Sequence, residues 1–423
     1  MTNLDTSEAA TGTGDRSRPR GVLPALCASQ ITSWGIFYYA FPVLAVRITA
    51  DTGWSTASTT AAFSCALLVS AVVGIPVGRI LDRRGPRAVM TLGSVLGVTA
   101  VLLIAAAPNL AMFTAAWLLA GVAMAATFYQ PAFAAVTRWW GPDRIRALTI
   151  VTLAGGLAST AFAPLTAALA EHLSWRTTYA VLAVILATVT IPAHALALRA
   201  PWPPAPPHTV QPANRRTPIA RSRPFLLLAA ALTLNGFAMY AVVIALVPLL
   251  TERGVSPTTA AWALGLGGAG QTLGRTLYAT LARRTGVGTR TVALIALGGA
   301  TTASLAAIPG PVPLLVALPV VAGMVRGNLT LLQATAVTDR WGSTEYGRLS
   351  GLLGAPVTVA GALAPFAGAV LAARLGGYQP LFALLSVVSL AACVLAAASG
   401  GQRAASRDDG LPALAQAEQV ARQ

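Results

Sequence analysis

Long apolar runs parted by short polar breaks make up almost the whole of this chain. Runs long enough to cross about 30 Å at about 1.5 Å per residue lie at 22–46, 56–80, 87–107, 110–137, 145–170 and 176–198. After a break they resume at 224–250, 258–281, 289–309, 312–338, 346–374 and 378–399. The pattern predicts twelve helices. The break from Arg199 to Pro224 is rich in proline and carries Arg215, Arg216, Arg221 and Arg223, the composition of a polar linker. The expected organisation is a cytoplasmic tail over 1–20, a six-helix bundle over 21–198, a cytoplasmic linker over 199–223, a second six-helix bundle over 224–399 and a cytoplasmic tail over 400–423. The first apolar run exceeds a signal-peptide core and shows no cleavage site, so it is expected to stay in the mature protein.

The two halves repeat at a single ungapped offset, 336 − 135 = 201. It lays Ala135-Val-Thr-Arg-Trp-Trp140-Gly141 over Ala336-Val-Thr-Asp-Arg-Trp341-Gly342 and Ala163-Pro164 over Ala364-Pro365. The same shift pairs Gly35 with Gly236, Tyr39 with Tyr240, Gly53 with Gly254, Ser55 with Ser256 and Gly85 with Gly286. Six plus six helices in parallel repeat imply two bundles related by an axis along the membrane normal, with a path between them.

Composition fixes the solvent. The chain is 55% hydrophobic and 10% charged, with mean hydropathy +0.68, which no soluble fold of this length carries on its surface. The net charge of +16 comes from 29 basic residues, all arginine. In a membrane chain such arginines gather in cytoplasmic loops, so the charge reads as topology rather than as a nucleic-acid surface. With the N-terminus inside, only Arg47, Arg176, Arg253 and Arg374 fall in outside loops. Both termini are therefore expected in the cytoplasm, and the location expected is a bacterial inner membrane. Cys27, Cys65 and Cys393 lie within apolar runs without ligand spacing and predict neither metal site nor disulfide. No cofactor is expected. His172, His194 and His208 all lie near surfaces and form no catalytic constellation, so an enzyme is not expected.

Between the second and third runs stands Gly78-Arg-Ile-Leu-Asp82-Arg83-Arg-Gly85-Pro86-Arg87. A glycine lets two helices approach, an aspartate caps a neighbouring helix start, and arginines hold a loop inside. This segment resembles the signature loop of the major facilitator superfamily. The resemblance implies the major facilitator fold, an all-α membrane protein of twelve transmembrane helices in two six-helix bundles. It also implies that Gly78, Asp82, Arg83, Gly85 and Arg87 serve the inner gate rather than the substrate. In the second half, Arg283-Arg-Thr-Gly286 is a copy without the aspartate. Gly155-Gly156, Ala163-Pro164 and Trp175-Arg176 resemble in part the glycine-proline motif of the superfamily's antiporters, with alanines at Ala163, Ala167 and Ala168 where glycines are usual.

Two arginines lie deep inside apolar runs. Arg275, in Gly267-Gly-Ala-Gly-Gln271-Thr-Leu-Gly274-Arg275-Thr-Leu-Tyr278, stands about 12 Å above the cytoplasmic end of its helix. Gln271, Arg275 and Tyr278 share a face by spacing. The segment resembles the oxalate/formate antiporter and monocarboxylate porter families, in which a helix-eight arginine grips the substrate carboxylate. Asp51-Thr-Gly-Trp54-Ser55 fits the same subgroup. The chain departs from those porters at Gln271, where they carry an aspartate, and it has no lysine for the oxalate carriers' second cation. Arg326, near the middle of 312–338, shares a face with Thr330 and Gln333 and is the candidate to replace that second charge, from helix ten rather than helix eleven. An arginine at a bilayer centre costs about 2.5 to 3.5 kcal/mol on insertion scales and persists beside a partner or a watery path. Snorkelling for Arg275, and backbone carbonyls for Arg326, are the structural alternatives.

The first half contributes neutral candidates: Gln30, Trp34, Phe37, Tyr38 and Phe41 at helical spacing, and Tyr129 and Gln130 before Pro131. Asn235, in the seventh run, joins them from the second half. Such aromatic stripes serve packing as well as ligands. Every acidic residue falls in a tail, a loop or a helix end, whereas a proton-driven exporter of cations needs a carboxylate within the membrane. The function expected is a secondary carrier of a small organic anion, monocarboxylate-like, working by alternating access as an exchanger or proton symporter. The rival readings are an efflux carrier for drugs or secondary metabolites and a transporter-like receptor. The expected partners are the anionic substrate and the lipid bilayer, without nucleic acid, and the chain is expected to be a monomer.

Overall fold

The computed structural model describes residues 21–141, 144–202, 219–342 and 346–400. The expected N-terminal tail, most of the linker and nearly all of the C-terminal tail lie outside them. The chain folds into α1 (Val22–Thr52), α2 (Thr56–Arg84), α3 (Pro86–Ala106), α4 (Leu110–Trp140), α5 (Arg144–Gly156 continued by Ala158–His172), α6 (Trp175–Ala197), α7 (Arg223–Glu252), α8 (Pro257–Arg284), α9 (Val287–Ala307), α10 (Val312–Thr335), α11 (Tyr346–Leu375) and α12 (Tyr378–Ser399). Among the described residues, eleven of these are long and apolar enough to cross a membrane. The other is α8, whose glycines and whose Gln271 and Arg275 lower its hydropathy; its 28 residues still match the length of its neighbours. Large apolar side chains such as Val72, Leu92, Val184, Leu390 and Val394 project outward, as lipid requires.

The repeat is visible in the backbone. Helix α3 maps onto α9 at both ends, since 86 + 201 = 287 and 106 + 201 = 307. Gly53 and Gly254 both end their helices with positive φ, 72° and 77°, a conformation open to glycine at no steric penalty. Ser55 and Ser256, two residues on, each cap the next helix by accepting from the backbone N–H three residues later. The halves meet chiefly through two helix pairs, α2 with α11 and α5 with α8, with a smaller contact between α1 and α7. The offset of six helices turns one pair into the other, as a twofold axis along the membrane normal demands.

The two seams differ in chemistry. Along α5 and α8, the Thr160 hydroxyl donates to the Gly265 carbonyl at 2.8 Å, and Thr258 bonds Glu171 at the end remote from the termini. Between α2 and α11 the one hydrogen bond across the seam among the described residues runs from the Phe366 N–H to the Ser64 hydroxyl, at 3.1 Å. Apolar packing follows the same division. In the half remote from the termini a single core joins both bundles, from Phe41 and Phe63 to Leu246, Leu249 and Phe382. In the termini-side half each bundle keeps its own core, around Leu26, Met90 and Val136 in the first and around Leu228, Ile295 and Leu353 in the second. The bundles thus share one apolar core at one end and keep separate cores at the other.

Within the second bundle, α8 and α10 touch backbone to backbone. A Cβ at Gly323 would meet the Gly267 carbonyl oxygen at 1.9 Å, and one at Gly327 the Gln271 carbonyl oxygen at 2.1 Å. In return, a Cβ at Gly270 or Gly274 would meet the carbonyls of Val320 and Met324 at 2.2 and 2.0 Å. Small residues at four-residue spacing are the membrane's means of close helix approach. The contact sets Arg326 beside Gln271.

Candidate functional site

The shared core ends on a cavity of about 170 Å³ lined by Trp34, Tyr38, Tyr39, Tyr129, Gly155, Met239, Tyr240, Val243, Gln271, Arg275, Arg326 and Thr330. Seven of these are residues singled out from the sequence: Trp34, Tyr38, Tyr129, Gln271, Arg275, Arg326 and Thr330. Arg326 donates from Nε and Nη2 to the Gln271 Oε1 at 3.2 and 3.0 Å. That neutral oxygen is its one side-chain acceptor among the described residues, and no carboxylate pairs with it. The Thr330 hydroxyl is turned back to the Arg326 carbonyl, at 2.9 Å.

Arg275 reaches the other bundle. It is 8% exposed, and its Nη1 donates to the Thr152 carbonyl of α5, while its Nε has no hydrogen-bond partner in the protein. The glycine pair in α5 makes this crossing possible. A Cβ at Gly156 would lie 3.0 Å from Arg275 Nη1, and one at Gly155 would lie 2.2 Å from the Tyr129 hydroxyl. The partial antiporter motif thus has a local structural use. Both guanidinium groups line this one cavity, and two unit charges about 7 Å apart repel by about 2 kcal/mol at an effective dielectric constant near 20. An anion removes that repulsion and gains paired, charge-assisted hydrogen bonds.

Helix irregularities aim the aromatic side chains. In α1 the segment Gly35–Tyr39 is a π-helical turn. Its i to i+5 hydrogen bonding brings Trp34 and Tyr39 onto one face, which a regular helix would not do. Phe37 and Phe41 point the other way into the core, with Phe41 stacked on Phe63 at 4.5 Å. In α4 the chain becomes extended at Phe128 before Tyr129–Trp140 resumes. Pro131 has no N–H to offer the Thr127 carbonyl, and Gln30 supplies the missing donor from Nε2 at 2.7 Å.

Five expected site residues need correction or sharpening. Gln30 is fully buried and mends the proline break, so it is outside the cavity. Tyr278 shares the face of Arg275 by spacing but lies nearer the termini side, where its hydroxyl bonds Thr335 at 2.9 Å and its ring lies under Arg290. Asn235 lines a pocket of about 50 Å³ behind Arg326, inside the second bundle. Gln130 and Gln333 face an adjoining chamber of about 320 Å³ that shares Trp34, Tyr38, Tyr129 and Tyr240 with the arginine cavity. Sequence reading passed over Tyr39, Tyr240, Met239, Val243 and Gly155 as site residues. The signals for them were the repeat, since Tyr39 and Tyr240 are mates at the 201 offset and line the same cavity, and for Gly155 the partial glycine-proline motif.

The charged loop after α2 lies at the termini-side surface. Asp82 pairs with Arg138 at 3.3 Å, and its carbonyl accepts from Trp202 Nε1 at 3.1 Å. Gly85 has φ 79°, and a Cβ there would meet the Trp202 ring at 3.1 Å. Arg87 donates to the Ala195 carbonyl at 3.0 Å, and Arg83 sits in the last turn of α2. Gly78 makes none of the close approach expected of it, since a Cβ there would find nothing within 4 Å. In the second half the missing acid is supplied from elsewhere. Arg290 pairs with Asp339 at 2.9 Å, and 138 + 201 = 339, so one site in the repeat carries opposite charges in the two halves.

The Major Facilitator Superfamily profile matches residues 26–286 and 226–413. Among curated proteins, monocarboxylate transporter 13 of Bos taurus is 29% identical over 253 residues, 59% of this chain and 57% of that protein. The uncharacterized MFS-type transporter YcxA of Bacillus subtilis (strain 168) is 26% identical over 195 residues, 45% of this chain and 48% of that protein. The matches therefore span less than two thirds of those relatives. Among solved structures, a bacterial homolog to the human lysosomal transporter Spinster, inward-facing and unoccupied, superposes with TM-score 0.71 at 15% identity, covering 91% of this chain and 98% of that one. A mutant of the nucleoside transporter NupG gives TM-score 0.69 at 13% identity over 90% and 99%.

Proposed function

This chain belongs to the major facilitator superfamily, and from that premise we propose that it is a secondary carrier of an organic anion, monocarboxylate-like in its charged group, working by alternating access in a bacterial inner membrane with both termini cytoplasmic. The observation that carries the reading is Arg326. Its guanidinium lines a cavity between the bundles and meets a single neutral amide oxygen, so its charge lacks a counterion until an anion arrives. Trp34 Nε1 and the Tyr38 hydroxyl, on the opposite wall, are buried donors or acceptors without a partner in the protein. Residues from both bundles would then close on one ligand. Rocking the bundles about that ligand would break the shared core at one end and build one at the other, with the Asp82 loop governing the termini-side closure.

With no carboxylate in the cavity among its described lining residues, proton coupling would ride on the substrate, or the carrier would exchange one anion for another. The efflux reading draws only on the α5 motif, whose glycines here make room for Tyr129 and Arg275. The deciding experiment is flux into proteoliposomes with carboxylates, inorganic oxyanions and cationic dyes, with and without a pH gradient. Carboxylate flux that is lost in Arg326→Ala is the expected result. Equal transport of neutral or cationic compounds by wild type, Arg326→Ala and Arg275→Ala would overturn the anion reading, and binding without flux would favour a receptor.

A further inference from the structure

We propose that the chamber beside the arginine cavity is a second subsite, taking an apolar and preferably aromatic body attached to the anion. The substrate would then be an aryl-substituted carboxylate rather than an acid of one to three carbons. This rests on the anion reading above and goes further, by assigning a function to space that no charged residue lines.

The chamber holds about 320 Å³ between α2 and α11, beneath the Phe366–Ser64 hydrogen bond of that seam. Its walls include Leu67, Ala71, Met124, Ala125, Val357 and Ala362. Trp34 and Phe128 stack at 4.0 Å with 13° between their planes and present a flat aromatic surface to it. By volume alone the arginine cavity, about 170 Å³, is smaller than the roughly 300 to 1,000 Å³ of ordinary ligand sites. The two spaces share Trp34, Tyr38, Tyr129 and Tyr240, a collar of four rings between them among which a molecule spanning both would lie.

The collar itself points to a ligand. Trp34 Nε1 and the Tyr38 hydroxyl are buried there without hydrogen-bond partners, and Tyr38 is 3% exposed. Buried polar groups left unpaired are destabilising, and an acceptor drawn up to Arg326 would come within the same enclosure. A carboxylate so held would leave its substituent to fill the chamber, where contact with the Trp34–Phe128 stack removes apolar surface from water. Repeat symmetry explains why the space is there. Position 326 − 201 = 125 is Ala125, so the first bundle has a methyl group at the chamber wall where the second has its arginine.

The test uses the full chain purified in detergent, with propionate, phenylpropionate and the neutral phenylpropanol as probes, and binding read by tryptophan fluorescence and thermal shift. The expected result is a Kd for phenylpropionate at least about tenfold below that for propionate. The ratio should fall toward unity in Ala125→Leu, which narrows the chamber. Ala71→Leu, at a half-buried position on its rim, gives a second reading should Ala125→Leu fail to fold. Equal binding of the two acids by wild type, or an undiminished ratio in the narrowed variants, overturns the second subsite and leaves the anion reading intact. Phenylpropanol binding as tightly as phenylpropionate, with Arg326→Ala unaffected, sustains the chamber and overturns the anion reading instead.

Discussion

Replacing Gln271 by glutamate would give Arg326 a permanent counterion at the cost of one atom's identity. The Gln271 Oε1 already accepts from Arg326 Nε and Nη2 at 3.2 and 3.0 Å, so a carboxylate oxygen in the same place needs no new geometry. A hydrogen bond to a charged acceptor contributes about 1 kcal/mol more than one to a neutral acceptor, and two such bonds give about 2 kcal/mol. The added negative charge also opposes an incoming anion by about 2 kcal/mol at 7 Å and an effective dielectric constant near 20. Carboxylate binding should therefore weaken by between about 30-fold, from the hydrogen bonds alone, and about 1,000-fold, from both effects together. The ligand-free protein should melt higher, because two cations then share an internal anion. Binding is measured on purified Gln271→Glu by calorimetry with the best carboxylate from the flux panel, beside Gln271→Leu, which removes the acceptor without adding charge. A folded Gln271→Glu that binds the carboxylate within about threefold of wild type would refute the assignment of Arg326 as the anion's partner.

Gly327→Ala should force α8 from α10, since the new methyl would sit 2.1 Å from the Gln271 carbonyl oxygen; over-packing of about 1 to 3 kcal/mol predicts a lower melting temperature and weaker carboxylate binding. Gly354→Ala, with nothing within 4 Å of the added carbon, is the matched control and should melt no lower than wild type. Arg275→Met removes the donor to the Thr152 carbonyl, leaving a loss of about 1 to 3 kcal/mol if that oxygen stays dry. Hydrogen exchange should quicken over residues 150–158, and unchanged protection there would show that the crossing arginine does not hold the seam. Asp82→Asn weakens the pair with Arg138, far from the cavity, and should slow transport while sparing substrate affinity; an affinity that falls as steeply as transport counts against a gating role.

The sequence by itself determined the membrane solvent, the helices and their pairing into halves. Apolar runs must close their own hydrogen bonds in lipid, so each run long enough to span becomes a helix. The 201 offset then predicts equivalent turns, as Gly53 and Gly254 demonstrate with the same positive φ. It also singled out Arg326 and Arg275, because a deep arginine is conspicuous in a chain with so few charges. Tertiary structure decided which side chains share a space. Spacing placed Tyr278 beside Arg275, yet one further turn carried it to Thr335 and Arg290. Spacing likewise put Gln30 on the aromatic stripe, where the proline break at Pro131 claimed it for the Thr127 carbonyl. Tyr39 reached the cavity only because α1 widens into a π turn, and a regular 3.6-residue period cannot foresee that. The meeting of the two arginines depended on glycines in α8 and α10 that let backbones touch, a contact between segments about fifty residues apart in sequence. Helix formation in lipid is local and therefore legible; the choice of neighbour is made by packing between distant segments, and only the folded chain records it.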